Sequence, residues 1–523
     1  MRTLIVNPDH GYLTATPWGV LSVASYISQV KGYPIELLDA SIEGAKTTFN
    51  RLRPRLSDYS LIGIGAFSTD APFVVSLCDM IKEENPRCKV MVGGPHAILC
   101  PEQTASYKNI DFVAFGDGEK AFSGVMEQMN ASSAHWDEVP GLIYKKGGVP
   151  VRTAKPEIVP FYDTDYSLMD ERARYYFKEN INILAGRGCP YKCTFCFTSI
   201  SDQRWRGKSM EQLGREVITL VNQYHPERIY FRDELFFKDK QRIIDFIKFY
   251  KDNQFTFKWR SSIRATDFRD DYVNEDMLRE LAAAGCECLK FGFESGSDRV
   301  LKSLKKGIKV RNIHRVVNTI KNTPQIQLNC SFLIGLPGET HEEMADTIVL
   351  ASWIQSHLSN VRIIGPQYFR VYPGGELYEK VVNEYGFKAP ESLEAWKHRY
   401  DDPLNRQGYA DSLVDYPWLT KADGFLAKNA HLFVEFINPN GFKYIDTYKR
   451  RMLSLLEPMI RFRLRYRYFR FLWDIHLAST ILSFSIWDWL EQSRIFAAFK
   501  RTGMHEYLKK SAIYQRFVAL FIG

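Results

Sequence analysis

Three cysteines lie within eight positions of the stretch GRGCPYKCTFCFTS (186–199): Cys189, Cys193 and Cys196. Structural zinc and iron–sulfur sites usually close their coordination with protein ligands, whereas catalytic metal sites keep a position open. A C-x3-C-x2-C spacing on one loop can hold three corners of a cubane cluster and leaves the fourth iron without a protein thiolate. The spacing therefore predicts an iron–sulfur cluster whose open iron binds a further molecule.

The alternative is a zinc site, or cysteines that are not ligands at all. Zinc needs a fourth ligand, and the nearest later cysteines, Cys286 and Cys288, lie on or beside a different predicted strand. The chain has nine cysteines, an odd number, and its first residues, MRTLIVNP, have too short an apolar run for a signal peptide. These features predict a reducing, cytoplasmic setting, in which clustered cysteines are ligands rather than disulfides.

The positive charge of the chain is concentrated in one stretch. Residues 449–470 hold eight Lys or Arg against one Glu, while the formal net charge of the whole chain is +8. This favours one local basic surface and predicts no nucleic-acid partner. The most apolar window, 471–490, contains Asp474 and Asp488, so no membrane span is predicted.

The elements that must position these residues begin with an N-terminal domain at 1–145. Its apolar runs alternate with helix-like segments, which predicts a doubly wound, Rossmann-like parallel sheet. Ligands of such sheets bind at the carboxyl ends of the strands, where this chain has loops of small residues. Residues 146–180 are predicted to be a connector, and its start overlaps a hairpin-like GLIYKKGGVPVR (141–152).

The strand–helix alternation restarts and predicts a core domain at 181–378. Six strands are predicted, at 181–185, 228–232, 257–262, 288–293, 327–334 and 361–371. Six units predict a partial (β/α)6 barrel rather than a closed eight-unit barrel, with the cysteines in the loop after the first strand. Residues 379–523, rich in arginine and aromatics, are predicted to be mostly helical, so the fold class is α/β with a helical C-terminal region.

These residues and their order resemble the radical S-adenosylmethionine (SAM) enzymes. In that family the open iron of a [4Fe-4S] cluster binds the amino and carboxylate groups of SAM, which is cleaved to a 5′-deoxyadenosyl radical. The segments that are similar to the family's later motifs are IYFRDELFF (229–237), WRSSIRATDF (259–268), LKFGFESGSDRVLKSLKKG (289–307), SFLIGLPGET (331–340) and YPGGEL (372–377). The last has Gly375 where the family commonly has threonine.

The resemblance implies which residues contact each cofactor. Cys189, Cys193 and Cys196 would hold the cluster. The residues implied to bind SAM are Phe195, Glu234, Arg264, Gly292, Glu294, Ser295 and Gly335. Alternatives stay open for some of them: Glu294 as an ordinary exposed carboxylate, Glu234 and Arg264 each as a member of a salt bridge at the barrel rim, and the glycines as simple turn residues.

The first domain resembles the cobalamin-binding domain that precedes many radical SAM cores. The segments that carry the resemblance are 17–40, 90–103 (VMVGGPHAILCPEQ) and 111–122 (DFVAFGDGEKAF). The residues implied to bind cobalamin are Ser68, Thr69, Gly93, Gly94, His96, Gly116 and Glu119. His96 as a loop-capping histidine is the alternative for that residue.

One departure concerns the cobalt. The DxHxxG signature, whose histidine replaces the lower ligand, is absent, because Asp9, His10 and Gly11 have the wrong spacing. The radical SAM branch often lacks that histidine, so cobalamin is still expected, and loss of the corrin is the alternative.

The combined resemblance implies a cobalamin-dependent radical SAM enzyme, of the group that includes methyltransferases and the anaerobic porphyrin ring cyclase. Methyl transfer to an unactivated carbon is the expected reaction. The alternatives are radical-driven cyclisation or oxidation without methyl transfer, and a non-catalytic iron–sulfur or corrinoid protein. The implied partners are a hydrophobic or anionic small-molecule substrate and an electron donor of the flavodoxin or ferredoxin type.

Three interpretations fit the basic, aromatic stretch within 449–490. It is a surface that touches anionic lipid headgroups at the inner face of the membrane, a lid whose arginines bind an anionic substrate, or a helix that packs its aromatics on the core and leaves its arginines in water.

Overall fold

Strands and helices alternate along most of the chain, which a computed structural model describes for residues 2–10, 16–201, 204–400 and 415–483. The strands are β1 (Thr3–Asn7), β2 (Glu36–Asp39), β3 (Leu61–Gly65), β4 (Lys89–Gly93), β5 (Phe112–Ala114), β6 (Leu142–Lys146), β7 (Val149–Arg152), β8 (Ile181–Ile183), β9 (Gly186–Arg187), β10 (Arg206–Gly207), β11 (Arg228–Phe231), β12 (Lys258–Ser262), β13 (Cys286–Glu294), β14 (Gln327–Ile334) and β15 (Val361–Tyr368).

The helices connect these strands and then form the C-terminal region. They are α1 (Trp18–Ser25), α2 (Ala45–Leu52), α3 (Ala71–Glu84), α4 (Pro95–Leu99), α5 (Pro101–Ser106), α6 (Gly118–Asn130), α7 (Glu171–Tyr175), α8 (Met210–Tyr224), α9 (Lys240–Asp252), α10 (Glu275–Ala283), α11 (Asp298–Ser303), α12 (Val310–Ile320), α13 (His341–His357), α14 (Glu376–Asn383), α15 (Leu393–Tyr400), α16 (Lys421–Ile437), α17 (Thr447–Ser454), α18 (Glu457–Tyr466) and α19 (Trp473–Ser483).

The first sheet has seven strands in the order β2-β1-β3-β4-β5-β6-β7. Its first five strands are parallel, and their near-continuous apolar runs are buried because helices cover both faces. β6 and β7 join antiparallel, so the predicted hairpin extends this sheet. Its two turn residues, Gly147 and Gly148, both have positive φ (60° and 84°), which a type I′ turn requires.

The second sheet has six strands, as predicted, and none of their ends differs from the predicted bounds by more than three residues. Here β8, β11, β12 and the start of β13 are successive parallel neighbours, with Ile229 opposite both Ile181 and Trp259. Side-chain caps set the helix starts between them, since Ser209 caps the start of α8 and Asp239 caps the start of α9. The predicted α/β fold class is confirmed.

The chain divides into two compact units. The first contains Met1–Phe291, Leu301–Leu328 and Arg370–Pro417, and the second contains Gly292–Val300, Asn329–Phe369 and Trp418–Gly523. In the first unit α15 packs against α3. In the second, α16 packs against β15 and α13.

The C-terminal region is helical as predicted, through α16 to α19. The predictions for 401–414 and 484–523 lie outside the described residues. In the part of the chain that the structure describes, no helix has both the length and the apolar character that a bilayer crossing requires.

Candidate active site

A cavity of about 740 Å³ lies within the first unit, at the carboxyl ends of its strands. The first sheet contributes residues at or just after the ends of β1, β3, β4 and β5, among them Asn7, Gly65 and Gly93. The second sheet contributes residues after β8 and β11, among them Arg232 and Glu234. Both sheets thus present their ligand-binding edges to one cavity.

Small residues keep the first-sheet wall of the cavity open. Gly93, Gly94 and Gly116, three of the residues predicted to bind cobalamin, line it. Gly94 has φ +90°, and a Cβ there would lie 2.8 Å from the backbone nitrogen of Ala66. Gly19 also lines the cavity, and a Cβ added to it would meet no atom within 4 Å. Glycine is required at position 94, because its φ is positive and a side chain would collide with the Ala66 backbone.

A buried ion pair joins the two walls. Glu119, at the start of α6, accepts a hydrogen bond from Arg187 Nη1 at 2.9 Å and another from the Tyr162 hydroxyl at 2.7 Å. The Ser22 hydroxyl lies 3.2 Å from the same oxygen and also bonds Arg187. Burial alone would raise the pKa of Glu119, but the charge of Arg187 and the bond from Tyr162 outweigh it and lower that pKa. Arg187 lies two residues before Cys189, so the pair connects α6 to the cysteine loop.

The cysteine loop carries three free thiols. Cys193 is buried, Cys189 and Cys196 are partly exposed, and none is in a disulfide. The Cys196 amide donates to the Cys193 carbonyl at 3.1 Å, which makes the loop a tight turn. Burial raises the pKa of Cys189, and the other two thiols add to that rise while Arg264 opposes it.

No group of three or more His, Cys, Asp or Glu in the described ranges converges as the ligands of one metal ion would. A fourth ligand for zinc is therefore not found among them. A cubane cluster makes a different demand, because each thiolate binds its own iron. Three free thiols on one loop fit that donor set.

Two of the residues predicted to bind SAM lie on or beside this loop. The Arg264 guanidinium stacks over the Tyr191 ring at 3.4 Å and donates to the Lys306 carbonyl. The Lys306 ammonium in turn lies 5.7 Å from the centre of the Phe195 ring. These contacts connect the loop to β12 and to the segment after α11.

Glu234 lies in the cavity wall and holds the start of the loop. Its Oε2 accepts a hydrogen bond from the Gly188 amide at 3.1 Å. Its neighbour Asp233 accepts one from the Ala185 amide at 2.7 Å, and burial raises the pKa of Asp233 to about 7. Neither Glu234 nor Arg264 forms an ion pair in the described residues, so the rim salt bridge considered from the sequence is wrong.

The other residues predicted to bind SAM, Gly292, Glu294, Ser295 and Gly335, belong to the second unit. Glu294 ends β13 with φ +67° and is 6% exposed, so the exposed-carboxylate alternative is wrong. A positive φ at a buried non-glycine residue costs energy and is typical of functional sites. The Ser295 hydroxyl lies 3.2 Å from the Thr347 hydroxyl, and the Gly335 amide donates to the Glu339 carboxyl at 2.7 Å.

The remaining residues predicted to bind cobalamin, Ser68, Thr69 and His96, do not line the cavity. Ser68 Oγ and His96 Nδ1 are hydrogen bonded at 2.9 Å, and His96 Nε2 has no partner in the described residues. Burial lowers the pKa of His96 to about 4, which keeps the ring neutral. The ring packs edge-on against Trp396 of α15.

Sequence reasoning missed three residues of this site. Arg187 lies inside the quoted GRGC motif, and a charge next to the three cysteines was a usable signal. Tyr162 lies in the connector, where no periodic pattern marks it. His10 lines the cavity with its Nδ1 2.9 Å from Asp70, although its spacing had excluded it from the known signature.

Family comparisons agree with this division of the cavity walls. Residues 183–351 match the model of the Radical SAM superfamily, and residues 10–126 match the model of the B12 binding domain. An uncharacterized methyltransferase of Pyrococcus horikoshii is 29% identical over 383 residues, covering 71% of this chain and 79% of that protein. The cytidylyl-2-hydroxyethylphosphonate methyltransferase of Streptomyces wedmorensis is 25% identical over 488 residues, covering 80% and 86%.

A solved structure has the same fold. The radical S-adenosylmethionine methyltransferase TsrM of Kitasatospora setae, with cobalamin and a [4Fe-4S] cluster bound, aligns with a TM-score of 0.60 at 17% identity. The alignment covers 74% of this chain and 76% of that chain.

Proposed function

We propose that this chain, which matches the Radical SAM superfamily and B12 binding domain models, is a cobalamin-dependent radical SAM enzyme that transfers a methyl group to a carbon of a small-molecule substrate. The observation that carries the proposal is the shared cavity, whose walls come from the B12-binding and the radical SAM residues of one unit. When bound, the cluster and SAM supply a radical, and cobalamin carries the methyl group. The methyltransferase names of two relatives support this reaction.

In this proposal Cys189, Cys193 and Cys196 hold the cluster as thiolates and leave one iron for SAM. Arg264 and Glu234 keep the loop in place through Tyr191 and Gly188. The individual cofactor contacts stay predictions, as do the domain limits at 145, 180 and 378.

The Glu119–Arg187 pair sets the separation between the two cofactor sites. Arg187 is held by a carboxylate and by the Ser22 hydroxyl, so its side chain has little freedom to rotate. Tyr162 donates to the same carboxylate, and burial raises the pKa of Tyr162, so the phenol stays protonated and remains a donor. Fixed separation of reacting groups converts encounters in solution into a reaction within one site.

The cavity lining supports a substrate with an apolar part and an anionic part. Trp18, Phe197 and Tyr230 supply aromatic surface. Arg232 stacks on Tyr230 at 4.6 Å and has no carboxylate partner in the described residues, so it is available to an anionic group. An electron donor of the flavodoxin or ferredoxin type and a reducing, cytoplasmic setting complete the proposal.

The test is a product analysis after anaerobic reconstitution. The protein is loaded with iron and sulfide, incubated with SAM and dithionite, and assayed with and without hydroxocobalamin. Formation of S-adenosylhomocysteine that depends on hydroxocobalamin is the expected result. 5′-Deoxyadenosine without S-adenosylhomocysteine would contradict methyl transfer and favour radical cyclisation or oxidation, and no cleavage of SAM would favour a non-catalytic protein.

A further inference from the structure

Exposed apolar side chains are concentrated in one short part of the second unit. Of the twenty large hydrophobic residues that are exposed in the described ranges, ten lie between Tyr444 and Leu477. Such a concentration indicates a surface that is covered by a partner, because single exposed apolar residues are normally scattered.

On α18 these side chains form a stripe. Met459, Phe462 and Tyr466 follow at intervals of three and four residues, so they share one face of the helix, and the Phe462 and Tyr466 rings lie 4.8 Å apart. The helix uses a different stripe to pack, since Leu456, just before it, and Ile460 are buried.

A buried arginine fixes the backbone of the segment that follows α18, residues 468–471. Arg463 is 2% exposed and pairs with Asp474 at 2.7 Å. Its guanidinium also donates to the carbonyls of Tyr468, Arg470 and Phe471 at 2.8–3.0 Å. This arrangement leaves Phe471 81% and Trp473 57% exposed. In this segment Phe469 is buried, so the aromatics divide between the core and the surface.

The same region carries cations that no carboxylate of the described residues neutralises. Residues 449–483 contain eight Lys or Arg, and their two acids, Glu457 and Asp474, pair with Arg461 and Arg463. Arg467 pairs with Asp346. In the described residues no carboxylate lies within salt-bridge distance of the rest: Lys449, Arg450, Arg451, Arg465 and Arg470.

We propose that this basic–aromatic surface (Met459, Phe462, Tyr466, Phe471 and Trp473 with Arg451, Arg465 and Arg470) binds the anionic face of a lipid bilayer. Aromatic side chains insert at the headgroup level, and cations beside them are attracted to anionic lipids. The combination of an apolar stripe with cations favours a bilayer over an acidic protein. Anionic side chains of a protein would pair with the cations, but they would not cover the apolar stripe. The proposal does not depend on the proposed function.

The experiment is flotation of the full chain with lipid vesicles. One set is phosphatidylcholine alone, and the other contains about 30% phosphatidylglycerol, as an anionic surface of the kind that attracts basic segments. We expect binding to the anionic vesicles only, and weaker binding when salt rises from about 0.1 M to about 1 M, which shortens the screening length from about 10 Å to about 3 Å.

Two triple variants separate the apolar and the electrostatic contributions. We expect Phe462→Ser/Phe471→Ser/Trp473→Ser to lower the affinity at least about 10-fold. Arg451→Glu/Arg465→Glu/Arg470→Glu should lower it at least about 100-fold, because each cation near such a surface contributes about a fivefold factor.

Matched controls replace equally exposed residues of the first unit. They are Val149→Ser/Tyr175→Ser/Tyr176→Ser for the aromatic variant and Arg87→Glu/Lys146→Glu/Lys155→Glu for the charge variant. Both controls should bind as the unchanged chain does. The proposal is overturned if the unchanged chain does not float with anionic vesicles, if it floats equally with neutral ones, or if the controls lose as much affinity. It is equally overturned if light scattering shows that the unchanged chain is a dimer and that the aromatic variant alone is a monomer, because a second copy then covers the surface.

Discussion

Two buried arginine–carboxylate pairs, one in each unit, have the same chemistry and different surroundings. Arg187 meets Glu119 at 2.9 Å and Arg463 meets Asp474 at 2.7 Å. The Arg187 side chain is 19% exposed and lines the cavity, whereas Arg463 is 2% exposed and also donates to three backbone carbonyls.

The difference separates a positioning role from a structural one. A guanidinium whose donors are used by backbone carbonyls fixes the chain around it, as Arg463 does for residues 468–471. A guanidinium that is held by a carboxylate and faces a cavity can also position a ligand. Burial of an ion pair is therefore not by itself a sign of function, and its surroundings must be considered.

The largest effect is expected from breaking the structural pair. Arg463→Met leaves the Asp474 carboxylate buried without its guanidinium, which we expect to lower the free energy of unfolding by about 3–5 kcal/mol. Denaturant unfolding of the full chain measures this change.

The double variant Arg463→Met/Asp474→Leu is its control. It removes both charges together and should recover most of the loss, because well-packed apolar residues often replace a buried ion pair without cost. If the double variant is as unstable as the single one, the pair is not what holds this segment.

At the cavity, we expect the variant Glu119→Gln to lower stability less than Arg463→Met does and to weaken cofactor retention specifically. Glu119→Gln removes the charge that holds Arg187, and a hydrogen bond to a charged group contributes about 1.5–3 kcal/mol. We expect the affinity for hydroxocobalamin, measured from retained corrin absorbance, to fall about 10-fold, which corresponds to about 1.4 kcal/mol.

The matched control is Glu216→Gln in the same unit. Glu216 is buried, pairs with Lys208 and accepts a hydrogen bond from Tyr166 at 3.0 Å, so it has the same kinds of partner away from the cavity. It should lower stability and leave corrin retention unchanged. Equal loss of corrin in both variants would contradict a positioning role for Glu119.

The third prediction concerns a buried carboxyl that has no arginine bonded to it. In the part of the chain that the structure describes, Glu339 accepts hydrogen bonds only from the Gly335 and Leu336 amides, and burial raises its pKa from the ordinary 4.5 to about 8. The folded chain keeps a proton that the unfolded chain releases between these values. This contribution to stability is complete below pH 4.5 and is lost as the pH rises to about 8.

Glu339→Gln does not titrate, so the unchanged chain should lose stability relative to it over that interval, by up to about 1.4 kcal/mol per pH unit. Thermal unfolding of both chains at a series of pH values measures the difference. A constant difference across the interval would mean that Glu339 is ionised in the folded chain.

Much of the fold was predictable because it follows from local patterns. The apolar runs of β3 and β4 mark a sheet buried on both faces, and Gly147–Gly148 marks a hairpin. The cysteine spacing could be interpreted because three cysteines on one turn need no information from distant parts of the chain.

The parts that could not be predicted depend on contacts between distant residues. Tyr162 reaches Glu119 across 43 positions from a connector without periodicity. Trp396 packs against His96 from a helix about which the sequence indicated only helical character. Around Arg463, arginines and aromatics alternate so evenly that periodicity does not distinguish the buried face from the exposed one.

The most direct test of the two-cofactor cavity is to count both cofactors on the same protein. The chain is purified without oxygen, reconstituted with iron, sulfide and hydroxocobalamin, and desalted, beside Cys189→Ala/Cys193→Ala/Cys196→Ala. We predict about four irons per chain and retained corrin bands in the unchanged protein, and loss of the iron alone in the triple variant. Iron that persists without the three cysteines, or a protein that retains no corrin, would contradict the assignment.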